Sequence, residues 1–272
     1  MLNRLFPNLS AIAAAALLFA AAPLPAQIPQ LDEGKVGMGH LHLRVSEADF
    51  DAHQRAWVEG LGARPAKIGS LNVLLLPGVV IAIRKGEASG GSEGSAVNHL
   101  GFYVRNLEGR VKHWESLGFE VYERRPSPTQ AFIRFPGNIK AELSEDPTLT
   151  EPVAHHHTHL FVSDVDAAQK WYVETFGGVA GTRGRWKEAW FPGVRISIGP
   201  ADGEMAPTKG RAVDHIGFEI DGLEAFCKKL EAKGIKLDAP YREVPAINSS
   251  IAFLTDPWGT YIELTDGLDA VR

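Results

Sequence analysis

The sequence predicts an α+β fold of four βαβββ modules, paired into two tandem domains, each a curved mixed sheet around a cavity. The chain repeats three segments: HLHLRV at 40–45 returns as HTHLFV at 157–162, NHLGF at 98–102 as DHIGF at 214–218, and AEL at 141–143 as IEL at 262–264. A helical stretch follows each histidine-bearing strand, and short β-rich runs follow each helix. One such module leaves half of its sheet uncovered, so we expect the modules to pair.

Each module contains one predicted helix, recognised by apolar residues at helical spacing and by a glycine at its end. The first helix contains Trp57 and ends at Gly60-Leu61-Gly62. The other three are predicted over residues 107–118, 164–178 and 223–234. In the third helix, Trp171, Tyr172 and Phe176 are predicted core residues.

The β-rich runs follow the helices, at 71–83, 131–143, 189–198 and 251–264. Polar, glycine-rich joints separate the modules, at 86–96, 144–154 and 199–210. The sequence thus predicts one two-module domain over 37–146 and a second over 154–267.

The first 26 residues have the pattern of a secretory signal peptide. Arg4 precedes an almost wholly apolar stretch from Leu9 to Ala22, and Leu24-Pro25-Ala26 supplies a small-residue cleavage site. The apolar stretch of about 14 residues is shorter than the about 20 that a membrane helix needs. We therefore expect an exported protein, periplasmic or secreted, that does not associate with a membrane after cleavage.

Charge and cysteine content exclude several functions. The net charge is −5 and there is no basic stripe, which argues against nucleic-acid binding. The single cysteine, Cys227, excludes an internal disulfide, and its place in a helical pattern predicts a buried apolar residue rather than a catalytic thiol. The expected partner is a small-molecule substrate, and the sequence leaves a homodimer open.

Three segments of the second half resemble the vicinal oxygen chelate superfamily, which includes glyoxalases, bleomycin-resistance proteins and extradiol dioxygenases. They are VSDVDAAQKWYVETFGG (162–178), VDHIGFEIDGLEAFCKKLEAKG (213–234) and FLTDPWGTYIEL (253–264). The resemblance extends over residues 37–267, and it implies a divalent metal held by the first and last strands of paired modules.

The resemblance implies two sets of metal ligands, one in each half of the chain. The second half offers His157, His215 and Glu263, and the first half offers His40, His99 and Glu142. Strand alternation puts His42 on the same face as His40, and His159 on the same face as His157. His42 and His159 would therefore lie beside the metal, where they are candidate catalytic bases. His155 and His156 are expected to be solvated at the end of a joint.

Two departures from the family pattern bear on the chemistry. The position at which glyoxalase-like and epimerase-like members carry a fourth ligand is occupied by Ala82 and Ser197. Two histidines and one carboxylate with vacant positions suit Fe²⁺, with Zn²⁺, Mn²⁺ or Ni²⁺ as alternatives, at one ion per occupied site. In addition, Glu142 lies one residue further from its preceding glycine than Glu263 does, which predicts that the first-half strand is out of step.

Three function classes follow from these observations. An extradiol-type dioxygenase is favoured by the vacant ligand position, although Phe253 stands where ring-cleaving members have tyrosine and residues 244–246 include no histidine. A glyoxalase- or epimerase-type lyase or isomerase would use a non-redox metal. A small-molecule binding protein would need no chemistry. Arg134, Arg195 and Arg242 are candidate contacts for an anionic substrate.

Overall fold

The computed structural model describes residues 28–124 and 127–268. It confirms the predicted α+β fold of four modules, each with one strand, one helical segment and three further strands. The predicted signal peptide at residues 1–26 lies outside the described residues. Within the described part of the chain, no helix is long and apolar enough to cross a membrane.

The first half contains modules 1 and 2. Module 1 consists of β1 (Val36–Val45), α1 (Phe50–Arg55) continued by a π-helical turn (Ala56–Gly60), β2 (Arg64–Ile68), β3 (Leu71–Leu76) and β4 (Val79–Lys85). Module 2 consists of β5 (Val97–Val104), α2 (Leu107–Ser116), β6 (Glu120–Arg124), β7 (Gln130–Phe135), a 3₁₀ turn (Pro136–Asn138) and β8 (Ile139–Glu145).

The second half contains modules 3 and 4. Module 3 consists of β9 (Val153–Val162), α3 (Val165–Phe176), β10 (Val179–Arg183), β11 (Trp186–Phe191) and β12 (Val194–Pro200). Module 4 consists of β13 (Val213–Ile220), α4 (Leu223–Ala232), β14 (Ala239–Val244), a 3₁₀ turn (Pro245–Ile247), β15 (Ser249–Thr255) and β16 (Tyr261–Asp266).

Local sequence accounts for the ends of the helices. The Asp164 carboxylate accepts a hydrogen bond from the Ala167 N–H at 2.9 Å, so it caps the first turn of α3. Gly177 ends the same helix in the left-handed conformation, at φ 76°, as the paired glycines predict. Asn106 caps α2 in the same way, through the Gly109 N–H at 2.8 Å.

The strands form two eight-stranded mixed sheets. Sheet 1 has the order β14-β15-β16-β13-β1-β4-β3-β2, and sheet 2 has the order β10-β11-β12-β9-β5-β8-β7-β6. Sheet 1 therefore joins modules 1 and 4, whereas sheet 2 joins modules 2 and 3. The predicted pairing of modules that are adjacent in sequence is wrong, because every module offers the same edge of its first strand and the repeat does not specify which edges meet.

Modules that are adjacent in sequence pack through their helices instead. Trp114 of α2 lies against Gly60, and Arg110 donates a hydrogen bond to the Gly60 carbonyl at 2.8 Å. In the second half, Phe176 of α3 stacks on Phe226 of α4 with ring centroids 6.4 Å apart. The ranges 37–146 and 154–267 thus correspond to helix-packed pairs, and each range contributes to both sheets.

The main core lies between the sheets and their helices and contains residues of all four modules. Trp57 is fully buried there and contacts two rings of module 2, with centroids 4.4 Å from Phe135 and 5.7 Å from Phe102. Tyr172 and Phe176 are buried, as predicted. Cys227 is buried as well, and burial raises the pKa of its thiol to about 11, which fits the predicted structural role.

His53 of α1 is a buried histidine remote from the repeated motifs. Its side chain has no solvent exposure and stacks on Phe135 with ring centroids 6.2 Å apart. Burial lowers the pKa of His53 to about 4, and the Pro136 backbone and Asp49 offset only part of that effect. The folded protein therefore holds this imidazole neutral at pH values where the unfolded chain protonates it.

Stability is expected to fall between pH 6.5 and pH 4, because there the unfolded state binds more protons than the folded state. Replacing His53 with Gln removes the part of this pH dependence that comes from His53. From pH 7 to pH 4.5 the variant should gain about 2 kcal/mol in unfolding free energy relative to the wild type. Urea unfolding of metal-free protein at both pH values measures this gain, and a difference independent of pH would contradict the expectation.

Candidate metal centres

Site 1, defined as His40, His42, His215 and Glu263, lies on sheet 1, on the face opposite the helix-packed core. His40 and His42 alternate with Leu41 and Leu43 of the core, as a strand requires. His42 lies opposite His215 on β13, and His40 lies opposite Gly217. Glu263 of β16 is aligned with the same Gly217. Three strands therefore bring all four side chains together.

The donor atoms of site 1 converge on the Glu263 carboxylate. Its Oε2 atom lies 3.0 Å from Nε2 of His40 and 2.8 Å from Nε2 of His215. The His42 ring is 4.4 Å from the His215 ring, and one donor atom from each of the four residues falls within 4.8 Å of all the others. His40 and His215 are about 95% buried, so the cluster is largely shielded from water.

Site 2, defined as His99, His157, His159 and Glu142, has the same arrangement on sheet 2. His159 lies opposite His99, His157 lies opposite Gly101, and Glu142 is aligned with Gly101. Glu142 Oε2 is 3.4 Å from His99 Nε2 and 3.8 Å from His157 Nε2. The three histidines each offer a donor nitrogen within a 4.8 Å group.

The predicted ligand residues thus come together, but each site combines residues from both halves of the chain instead of from one half. His40 of module 1 joins His215 and Glu263 of module 4, whereas His157 of module 3 joins His99 and Glu142 of module 2. The grouping within halves is wrong for the same reason as the module pairing, since each sheet takes its strands from both halves. His42 and His159, predicted as bases, lie within the donor groups.

The predicted misalignment of Glu142 is also wrong. Glu142 is aligned with Gly101, two residues after His99, and Glu263 is aligned with Gly217, two residues after His215. The offset arises in the turns, because Phe135 pairs with Ile139 across three residues before β8, whereas Thr255 pairs with Tyr261 across five residues before β16. Both carboxylates therefore face their histidines.

His155 and His156 are buried rather than solvated. Both are 6% exposed, because β9 starts at Val153 and already lies inside the sheet at these positions. A register shift between Gly101 and Phe102 leaves His156 unpaired in the ladder, and its ring stacks on Tyr103 with centroids 3.9 Å apart. The prediction of a solvated joint end is therefore wrong for this pair.

Burial lowers the pKa values of His42 and His159, and neighbouring histidines lower those of both site carboxylates, so all four groups are unprotonated at neutral pH. Burial lowers the pKa of His42 to about 3 and that of His159 to about 2, with neighbouring histidines adding to the effect. Burial alone would raise the pKa of Glu142, but the hydrogen bond and charge of His99 outweigh it and hold the pKa at about 2. The pKa of Glu263 is lowered in the same way by His215 and His40.

The residues present fit a bound divalent cation. Nε2 of His99, Nε2 of His157 and both ring nitrogens of His159 are buried without a hydrogen-bond partner. Such unpaired buried groups are costly, and a cation would engage their lone pairs. Imidazoles with an ionised carboxylate are a donor set suited to Fe²⁺, Zn²⁺, Mn²⁺ or Ni²⁺. Site 1 offers the same donor types.

Two glycines outside the predicted set of site residues make room for the ligand histidines. A Cβ atom on Gly217 would lie 2.1 Å from Cε1 and Nδ1 of His40, and a Cβ on Gly101 would lie 2.1 Å from the corresponding atoms of His157. Any side chain there would displace the ring. The pattern His-x-Gly in NHLGF and DHIGF was the available signal, because its glycine shares a strand face with its histidine.

The two sites differ in their neighbours. Beside His42 stands Ala82, next to Val73, in an apolar cluster that also contains Ile28 and Leu268. Beside His159 stands Ser197, whose hydroxyl donates to the buried Glu188 at 3.0 Å. The vacant fourth position is therefore apolar in site 1 and polar in site 2.

Of the three arginines predicted as anion contacts, Arg195 alone lies beside site 2, where the unpredicted Arg183 joins it. Arg183, not predicted, donates to Glu188 at 3.0 Å and lies 3.8 Å from Glu142 Oε1. Arg195 is aligned with His157 and reaches Glu188 at 3.9 Å. Arg134 instead pairs with Glu93 and Glu120, and Arg242 lies on the outer strand β14.

Residues 154–264 match the family model described as Glyoxalase/Bleomycin resistance protein/Dioxygenase superfamily. A relative named "Probable lactoylglutathione lyase, chloroplastic", from Arabidopsis thaliana, is 26% identical over 197 residues, which cover 66% of this chain and 55% of the relative. The chain thus spans about half the length of that relative.

Solved structures share the fold. Glyoxalase I from Zea mays superposes with a TM-score of 0.65 at 16% identity, covering 86% of this chain and 94% of the other. A putative dioxygenase from Bacillus subtilis gives the same TM-score and identity, covering 85% and 86%. At this identity the likeness establishes the fold alone, and both a glyoxalase and a putative dioxygenase fit it equally well.

Proposed function

Because the chain belongs to the Glyoxalase/Bleomycin resistance protein/Dioxygenase superfamily, we propose that it is an exported, metal-dependent enzyme acting on a small molecule with adjacent oxygens, with extradiol-type dioxygenase chemistry favoured. The observation that carries this proposal is the convergence of His40, His215 and Glu263, with Ala82 in the fourth position. Two histidines and one carboxylate leave positions for substrate and dioxygen.

The residues of site 1 suggest how such a substrate is held. A metal bound there would supply positive charge that neutralises adjacent substrate oxygens. If the metal is Fe²⁺, it would also supply reducing electrons. Phe253 and Tyr261 stack on each other at 5.1 Å and meet the His215 ring edge to face at 5.6 and 5.7 Å, so they form an aromatic wall in which Lys209 Nζ lies over the Tyr261 ring at 4.3 Å. A planar ring can pack against this wall.

His42 is placed to move a proton. Its ring lies 4.4 Å from the His215 ring, and the residue aligned with it on β4 is the apolar Ala82. A neutral ring nitrogen of His42 can accept the proton of a substrate hydroxyl, which increases the charge on the oxygen next to the metal.

A second candidate is a lyase or isomerase with a non-redox metal. The Arabidopsis thaliana relative, named a probable lactoylglutathione lyase, favours it. Ala82 and Ser197 weigh against it, because both replace the carboxylate expected of such members. Binding without catalysis is the third outcome and would leave the neutral His42 and His159 without a function.

The test uses protein purified from the cell exterior or periplasm, whose first residue should be Gln27. Metal content per chain is measured, and oxygen uptake is followed with catechols after anaerobic loading with Fe²⁺. We expect uptake that Glu263→Gln reduces at least 100-fold, as expected for loss of a ligand. Lactoylglutathione formation with Zn²⁺ or Ni²⁺, without oxygen uptake, would support the second candidate. Absence of bound metal would overturn both enzymatic proposals.

A further inference from the structure

The residue immediately before each ligand histidine differs among the four strands, and in three of them it contacts the ring nitrogen that faces away from the site carboxylate. Asp214 Oδ1 lies 2.7 Å from Nδ1 of His215, and Asn98 Oδ1 lies 2.9 Å from Nδ1 of His99. His156 Nδ1 lies 2.8 Å from Nδ1 of His157. His40 follows Gly39, and its buried Nδ1 has no partner.

These contacts select the tautomer that a metal needs. A neutral imidazole carries one N–H, and the acceptors at Asp214 and Asn98 draw it to Nδ1. The lone pair then remains on Nε2, the atom that faces Glu263 in site 1 and Glu142 in site 2. A carboxylate makes the ring a stronger donor to a cation than a neutral amide does, because it adds negative charge.

The carboxylates of the two sites have different surroundings. Glu142 Oε1 accepts hydrogen bonds from Ser144 at 2.6 Å and Gln130 at 2.9 Å, and the Arg183 guanidinium lies 3.8 Å from it. Glu263 meets His40 and His215 through Oε2. In site 1 the Arg44 guanidinium lies 4.0 Å from the Asp214 oxygen that does not contact His215.

We propose that the residue preceding each ligand histidine is a positioning residue that sets cation affinity, and that Asp214 makes site 1 the tighter of two unequal divalent-cation sites. The inference rests on the proposed function in one respect, that both sites bind metal. It goes further by ranking the sites and by assigning the difference to residues that do not contact the cation.

A cobalt titration tests the ranking. Full-length mature protein, stripped of metal with a chelator, is titrated with Co²⁺ and followed by its visible absorption. We expect two classes of site at least 10-fold apart in affinity, the difference that such hydrogen-bond partners typically make. Glu263→Gln should remove the tight class, and Glu142→Gln should remove the weak class.

An exchange of the two positioning residues tests the cause. Asp214→Asn should weaken the tight class by about 10- to 100-fold and leave the weak class unchanged. Asn98→Asp should tighten the weak class, an effect that a merely structural residue would not produce. Asp214 also accepts the Gly210 N–H at 2.8 Å, so thermal unfolding of the metal-free variants checks that this turn is kept.

The outcomes separate this inference from the proposed function. Two cobalt ions bound with equal affinity, or an Asp214→Asn effect of the same size on both classes, would overturn the ranking while metal dependence stands. An Asn98→Asp variant with unchanged affinity would overturn the role of the preceding residue. Wild-type protein that binds no cobalt would overturn both.

Discussion

Replacing Gly217 with alanine is expected to lower the cation affinity of site 1 by ~100-fold or more while the protein stays folded. The added Cβ would lie 2.1 Å from two atoms of the His40 ring, so the ring must leave its position beside Glu263. Losing one of the metal's protein ligands costs ~3 kcal/mol, a fraction of the binding energy of a complete site. Cobalt titration and oxygen uptake both measure the loss.

Gly101→Ala is the matched control, because its Cβ would meet His157 at the same 2.1 Å in site 2. Each variant should weaken its own site and spare the other. Circular dichroism and thermal unfolding establish that the sheets are intact, since both glycines lie on interior strands. Unchanged affinity in Gly217→Ala would exclude His40 as a ligand, whereas a loss at both sites would show a general defect in the fold.

Trp57→Ala is expected to destabilise the protein by about 3–5 kcal/mol, the range for deleting a fully buried tryptophan. Trp57 has no solvent exposure and fills the contact between module 1 and the Phe102 and Phe135 rings of module 2. For a chain of this size the melting temperature should fall by roughly 10 °C. Calorimetry should show one transition, because the core is continuous through all four modules.

Trp57→Phe is the graded control. It keeps an aromatic ring in contact with Phe135 and removes the indole N–H, which is buried without a hydrogen-bond partner. We expect it to cost less than half as much as the alanine variant, because a smaller cavity remains. Two separate transitions in either variant would contradict a single cooperative unit and would indicate that the helix-packed pairs unfold independently.

Residue patterns were sufficient to predict the modules and the metal-binding residue types. Alternation on β1 and β9 put His40 with His42 and His157 with His159, and both pairs share a face. The end of α3 was predictable as well, since the helix stops at Gly177, one of the paired glycines. These features depend on neighbours in sequence, which a single chain reveals directly.

Which side chains meet across the sheets was not predictable in the same way. The first strands of all four modules carry similar motifs, so nothing in the repeat distinguishes the β1–β13 pair from a β1–β5 pair. His155 and His156 look polar in sequence, yet the position of β9 between β5 and β12 buries them. Register at Glu142 depends on the turn before its strand, which has three residues where the equivalent turn before β16 has five.

Helices that pack within halves and sheets that join opposite halves have a consequence for how this protein can change over generations. Each copy of the duplicated sequence contains two half-sites and no complete one, because His40 and His99 belong to one copy and Glu263 and His157 to the other. A new specificity at either site therefore requires compatible residues from both copies. The two copies must therefore diversify together, because neither copy alone contains a complete metal site.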